Sequence, residues 1–257
     1  MSTLKSSAED LTLNADGSGN DVIIQSNAST KAIVTAEGNI GVGVTPAMAS
    51  GYNGLHIGAT YPAMKLSSTA TGHTATDGFH LRIDSTPRVE YWNYENTDQV
   101  FANNDTETMR IDSNGIVTKP LQPAFQAKPT ITQTNIAVTT AVTLVCSENW
   151  DVGSNFASNT FTAPVTGKYS LSAHLRFDNM DSASNYYAVG ITTSNATYNN
   201  LIDPDFGQDT PQWHFHQTIL ADMDASDTAT VVVYQATGTQ QTDIEHTQSI
   251  FSGYLLG

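Results

Sequence analysis

The chain has one cysteine, Cys146, so no disulfide can form within it. The thiol sits in the apolar run Val142–Cys146, where a buried, inert side chain is expected. Cations are scarce as well. Ten Lys and Arg stand against twenty-five Asp and Glu in 257 residues, a formal net charge of -15 with only 14% of residues charged. No basic patch able to neutralise a run of phosphates can form, which argues against nucleic acid and anionic membranes as partners. Long apolar runs are missing: none approaches the about 18 residues of a membrane span, so no membrane insertion is expected. Met1–Ser7 lacks the apolar core of a secretion signal, and a protein without a leader is expected. Nucleophile elbows, zinc-binding His-Glu-x-x-His, phosphate-binding loops and dinucleotide fingerprints are all absent, so no enzyme is expected. No segment carries convincing helical periodicity.

What the chain does have is alternation. In Phe161–Phe177 the odd positions (Phe161, Ala163, Val165, Gly167, Tyr169, Leu171, Ala173, Leu175, Phe177) are apolar or Gly, and the even ones are mostly polar. A period of two over this length predicts two half-buried strands joined at Pro164–Gly167, and an amphipathic helix cannot carry it. Further strands are predicted at residues 137–146, 159–163, 186–193, 212–220, 229–234 and 250–256, enough for one β-sandwich.

The Ala-Pro-Val-x-Gly-x-Tyr-x-Leu of residues 163–171 is similar to the strand-turn-strand signature in the globular heads of complement component 1q and tumour necrosis factor. Pro123–Ala127, Met223–Val233 and the closing Phe251-Ser-Gly-Tyr-Leu-Leu256 fit the same family in order. One departure is Ser226-Asp227, where that family usually has Gly-Asp. The resemblance covers roughly residues 120–257 and implies a trimeric jelly-roll head.

The first 120 residues read as short strands and tight turns. Asn114-Gly115 is a two-residue hairpin signal, and 109–120 looks like a degenerate repeat of 35–46. Strands this short, with few large side chains, bury too little for a single-chain domain, and three copies about an axis would share a core. Met109–Val117 and the opening Asp10–Gly19 resemble repeats of bacteriophage tail-fibre proteins. Together these readings predict an all-β chain: an elongated trimeric β-rich shaft followed by a C-terminal jelly-roll sandwich. The domains expected are 1–50 for virion attachment and shaft, 51–120 for a β-rich shaft, and 121–257 for the complement 1q-like knob.

Candidate site residues follow from chemistry. In Trp213-His214-Phe215-His216 a strand puts the bulky pair on the core face and His214 and His216 on the other. The family resemblance places that strand near the three-fold axis, where His214 and His216 could hold a transition metal or simply bond one another. Carboxylates cluster at Asp203-Pro-Asp205-Phe-Gly-Gln-Asp209 and Asp222-Met-Asp224-Ala-Ser-Asp227, as calcium ligands or as solvated turns. Tyr198, Asn199 and Asn200, with Asp203 and Asp205, are the receptor-binding candidates, expected in a loop, where an aromatic face and planar amides suit sugars. The expectation is a homotrimeric virion fibre on the tail or capsid exterior. Its partners would be itself, other virion proteins through the N-terminus, and a host surface glycan or protein through the knob. A head-fibre or capsid-decoration role and a polysaccharide depolymerase are the alternatives. No resident cofactor is expected beyond a possible axial metal or calcium.

Overall fold

A computed structural model describes Gly17 and residues 19–256. The described residues form strands and turns with no helix. They divide into two compact units, one holding the residues up to Gln99 with Ile111–Ile116, the other Val100–Arg110 with Val117 onward. The opening Asp10–Asp16 and Ser18 lie outside the described residues.

In the first unit β1 (Val22–Ser26), β2 (Ser29–Val34), β3 (Ile40–Val42) and β4 (Leu55–Ile57) form one sheet in that order. Asn27 and Ala28, at φ 52° and 54°, make the two-residue left-handed turn that matches strand twist between β1 and β2. The β3–β4 pair is parallel, so this sheet runs across residue 50. A second sheet is the meander β5 (Ala63–Leu66), β6 (Phe79–Ile83) and β7 (Val89–Asn93). One of its faces carries Lys65, His80, Arg82, Glu90 and Trp92, the other Met64, Leu66, Leu81, Ile83, Val89 and Tyr91.

A ribbon follows, β8 (Gln99–Asn103), β9 (Thr106–Ile111) and β10 (Val117–Thr118). Asn114-Gly115 does not form the expected two-residue hairpin. Only Gly115 has a positive φ, 83°, and the Asp112 carboxylate accepts the N–H groups of Asn114 and Ile116 at 2.8 Å, so the side chain of Asp112 organises a longer loop.

The C-terminal sandwich contains β11 (Ala124–Lys128), β12 (Val142–Thr143), β13 (Ser147–Val152), β14 (Phe156–Ala157), β15 (Thr160–Thr162), β16 (Gly167–Met180), β17 (Tyr187–Thr193), β18 (Thr197–Ile202), β19 (Thr210–Met223), β20 (Thr228–Gln235) and β21 (Asp243–Leu255). Its sheets run β13-β11-β21-β16-β19 and β14-β15-β20-β17-β18, with β12 also on β20. Every strand pair here is antiparallel, and the chain passes repeatedly from one sheet to the other, the connectivity of a jelly roll. Phe161–Phe177 is therefore not a hairpin. Pro164–Thr166 carries the chain between sheets, and Phe161, Tyr169, Leu171, Ala173, Leu175 and Phe177 all end in one core. Val165, apolar by pattern, is exposed at the crossover, where its carbonyl accepts the Tyr169 hydroxyl at 2.8 Å.

Only Val142–Thr143 of the strand expected at 137–146 forms. Three strands were not expected from the sequence: β14 is only two residues long, and the residues of β13 and β18 do not alternate cleanly in hydropathy.

Aromatic rings fill one end of the core. Phe125 lies 4.5 Å from Phe161, 5.2 Å from Phe156 and 5.0 Å from Phe251, centroid to centroid. Cys146 is buried, and burial pushes its thiol pKa up to about 11, as an inert side chain should show.

Candidate functional site: the outer face of the first sheet

Strand alternation sends every second residue of β16, β19 and β21 away from the core. Register then aligns these residues in rows across the sheet. Tyr254, Ser170 and Leu220 form the first row, followed by Ser252, Ser172 and Thr218, then Ile250, His174 and His216, and last Glu245, Arg176 and His214. The face thus grades from apolar through hydroxyl-bearing to imidazole.

The apolar end is open: Leu220 is 69% exposed, and Tyr254 and Leu256 are about half exposed. Beside them Lys168 and Asp222 form an ion pair. In the middle the Ser172 and Thr218 hydroxyls bond at 3.1 Å.

The imidazole end is the densest polar cluster on the face. His174 Nε2 and His214 Nδ1 are 3.0 Å apart in one hydrogen bond, and the His174 ring lies 5.1 Å from that of His214 and 5.7 Å from that of His216. Burial, with the charge of His214 and then His216 nearby, holds His174 below the ordinary histidine pKa. Arg176 does not supply a free charge, since its guanidinium forks onto Asp178 at 2.7 and 3.0 Å.

The sequence pointed to His214 and His216 but not to His174. Its even position in the alternating stretch marks it as outward-facing, whereas its register against His216, across forty-two residues of chain, is set only by folding. Trp213 and Phe215 face the core as expected. Among the described residues no group of three or more His, Cys, Asp or Glu side chains is set to hold a metal ion. The His174–His214 bond itself engages one nitrogen of each ring.

The receptor-binding candidates lie elsewhere. Tyr198, Asn199 and Asn200 are on strand β18, at the edge of the sandwich sheet β14-β15-β20-β17-β18, and not in a loop. The Asn200 amide donates to the His216 carbonyl at 3.2 Å, and the Gln217 amide donates to the Tyr198 carbonyl at 2.9 Å. These two bonds tie the edges of the two sheets together. Asn199 points outward beside Gly190, whose missing Cβ would come within 2.6 Å of the Asn199 amide oxygen.

Asp203 and Asp205 are exposed in the connection from β18 to β19. Asp203 accepts the Asp205 N–H at 3.2 Å, and Phe206 between them and Asp209 stacks on Trp213 at 5.2 Å. The other carboxylates of the acidic runs have protein partners. Asp209 accepts from the Ser182 N–H and hydroxyl, both at 2.9 Å, and Asp227 accepts from the Asp224 N–H and the Asn195 amide.

No family model matches the chain, and no curated protein matches it. Solved structures similar to it include the globular domain of zebrafish complement 1qA protein, at 14% identity and a TM-score of 0.40, covering 53% of this chain and 98% of that one. Murine APRIL at pH 8.0 is similar at 9% identity and a TM-score of 0.41, covering 52% of this chain and 99% of that one.

Proposed function

We propose that the chain is a homotrimeric fibre protein of a virion, with residues 1–120 serving attachment and shaft and the sandwich forming the knob that meets the host surface. The observation that carries the self-association is the inverted burial of the first unit. Among its described residues Ile33 is the one buried apolar side chain. Meanwhile Ile24, Leu66, Val89 and Tyr91 are 58 to 65% exposed, and Leu55, Met64 and Ile83 are open too. The meander makes the imbalance plain. On its charged face Glu90 takes both Arg82 at 2.5 Å and Arg88 at 2.7 Å, while the opposite face is apolar and open.

A unit of this size needs buried apolar area to offset its chain entropy, and copies of itself are the covering always at hand. Three is the number favoured because the resemblance noted in the sequence is to a trimeric head, and the outer sheet face of the sandwich has an apolar end suited to the same axis. Binding through such a knob would gain from avidity, three shallow contacts on one particle reinforcing one another.

Sedimentation equilibrium of the full chain at pH 7.5 tests the assembly. A species of three times the chain mass is expected, and a monomer at micromolar concentration overturns the reading. Electron microscopy of intact particles with a labelled antibody tests the address, for which a fibre tip is the expected position.

A further inference from the structure

The imidazole cluster has a consequence for assembly that goes beyond a trimer's existence, and it rests on the reading that copies meet through the outer face of the first sheet. We propose that His174, His214 and His216 form a proton-operated release for that interface: neutral rings hold the copies together, and protonated rings drive them apart.

The geometry supplies the reason. On β19 the rings of His214 and His216 lie 5.1 and 5.7 Å from the ring of His174 on β16, and one hydrogen bond of 3.0 Å joins His174 to His214. That bond needs a lone pair on one of the two nitrogens, so it exists only while at least one ring is neutral. Protonating both rings turns it into two donors facing each other at contact distance.

The charged groups around the cluster do not compensate. On β16 itself Arg176 is bound to Asp178, and Lys168 lies far along the strand with Asp222 of β19. From β21 the residue level with His174 is Ile250, which carries no charge. Glu245 stands beyond Arg176 in the next row, accepts from Thr247 and Gln248 at 2.8 and 3.0 Å, and has His246 beside it. On the far strands, Lys128 ends β11 and Glu148 lies on β13, with β21 between them and β16. No carboxylate therefore hydrogen-bonds any of the three rings, and a proton added to the cluster has no bonded counter-charge. In a trimer this strip is presented by every copy, so the added charge rises threefold. Imidazoles are the side chains whose charge ordinarily changes between pH 5 and 8, which sets the range of the effect.

Sedimentation velocity of the full chain from pH 7.5 to pH 5.0, in buffer containing a chelator, reads the release directly. Self-association is expected to weaken on acidification by roughly tenfold per pH unit for each proton coupled to it. At pH 5.0, 0.5 M NaCl should restore part of the loss by screening. The triple variant His174→Gln, His214→Gln, His216→Gln should remain assembled at pH 5.0. If that variant fails to fold, as judged by its near-UV circular dichroism at pH 7.5, the salt response of the natural chain decides alone. A trimer whose association is the same at both pH values, or a loss at pH 5.0 that salt does not relieve, overturns the release while leaving the trimer standing. A monomer at pH 7.5 overturns both.

Discussion

Gly253 lies directly beneath Phe125: a Cβ at position 253 would come within 2.9 Å of Phe125 Cε1 and 2.5 Å of Leu171 Cδ2. The first and last strands of the sandwich, β11 and β21, are paired there, with Phe125 opposite Gly253 in register. The closing Phe-Ser-Gly is thereby explained residue by residue. Phe251 enters the aromatic core, Ser252 turns to the outer face, and Gly253 leaves room for the Phe125 ring. Gly253→Ala should cost about 1 to 3 kcal/mol, since Phe125 is packed between Phe156, Phe161 and Phe251 and has nowhere to move. Urea unfolding followed by tryptophan fluorescence measures it, and a loss below about 0.5 kcal/mol would show that the ring can yield.

Ser226 stands at φ 78°, in the left-handed region, at the turn between β19 and β20. Its N–H bonds the Ala163 carbonyl at 2.8 Å and the following Asp227 N–H bonds the Asp224 carbonyl at 3.0 Å, so the backbone cannot relax elsewhere without losing both. A side chain in that region costs about 1 kcal/mol that glycine does not. Ser226→Gly should therefore raise stability by up to about 1 kcal/mol, less what glycine adds to the entropy of the unfolded chain. Thermal melts of the two proteins, compared side by side, check it, and a lower melting temperature for the variant counts against strain at this turn.

Asp181 is a buried carboxylate that pins the 237–242 connection. It accepts the Ala183 N–H at 2.8 Å, the Thr239 hydroxyl at 2.9 Å and the Thr239 N–H. Burial alone would raise its pKa, yet these donors more than offset it, and the group lies below the ordinary aspartate range. A pKa lower in the folded state than in the unfolded one means stability that is fully present above about pH 4 and is lost as pH falls through the folded value. Asp181→Asn should be less stable at pH 7 by about 1 to 3 kcal/mol and should lose less on acidification below pH 4. Urea midpoints taken from pH 2 to pH 5 make the comparison. Parallel pH curves for the two proteins would assign the acid loss to another carboxylate.

The period-two pattern made the sandwich legible because β16, β20 and β21 bury one face each, and burial is what writes alternation into a sequence. Strand β18 was missed for the opposite reason. At the sheet edge Tyr198 and Asn200 take the inward positions of Thr197–Ile202, with a polar amide bonded to the next strand where an apolar residue would have signalled a core. The histidine cluster was half legible. His214 and His216 share a strand and a face by local rules, but His174 joins them only through long-range register.

Leu220 is 69% exposed in the single chain, opposite Ser170 and in one row with Tyr254, on the face that points away from the core. In an isolated chain, Leu220→Asp changes a solvent-facing side chain, and unfolding stability should move by less than about 0.5 kcal/mol. In an assembly sealed by this face, each copy loses the burial of a leucine, about 1.5 to 3 kcal/mol, and places a new carboxylate beside Asp222. Native mass spectrometry at pH 7.5 should then find the variant monomeric at concentrations where a trimer is expected of the natural chain. A variant that remains trimeric with unchanged association moves the contact off the outer face of the first sheet, and with it the ground for the histidine release.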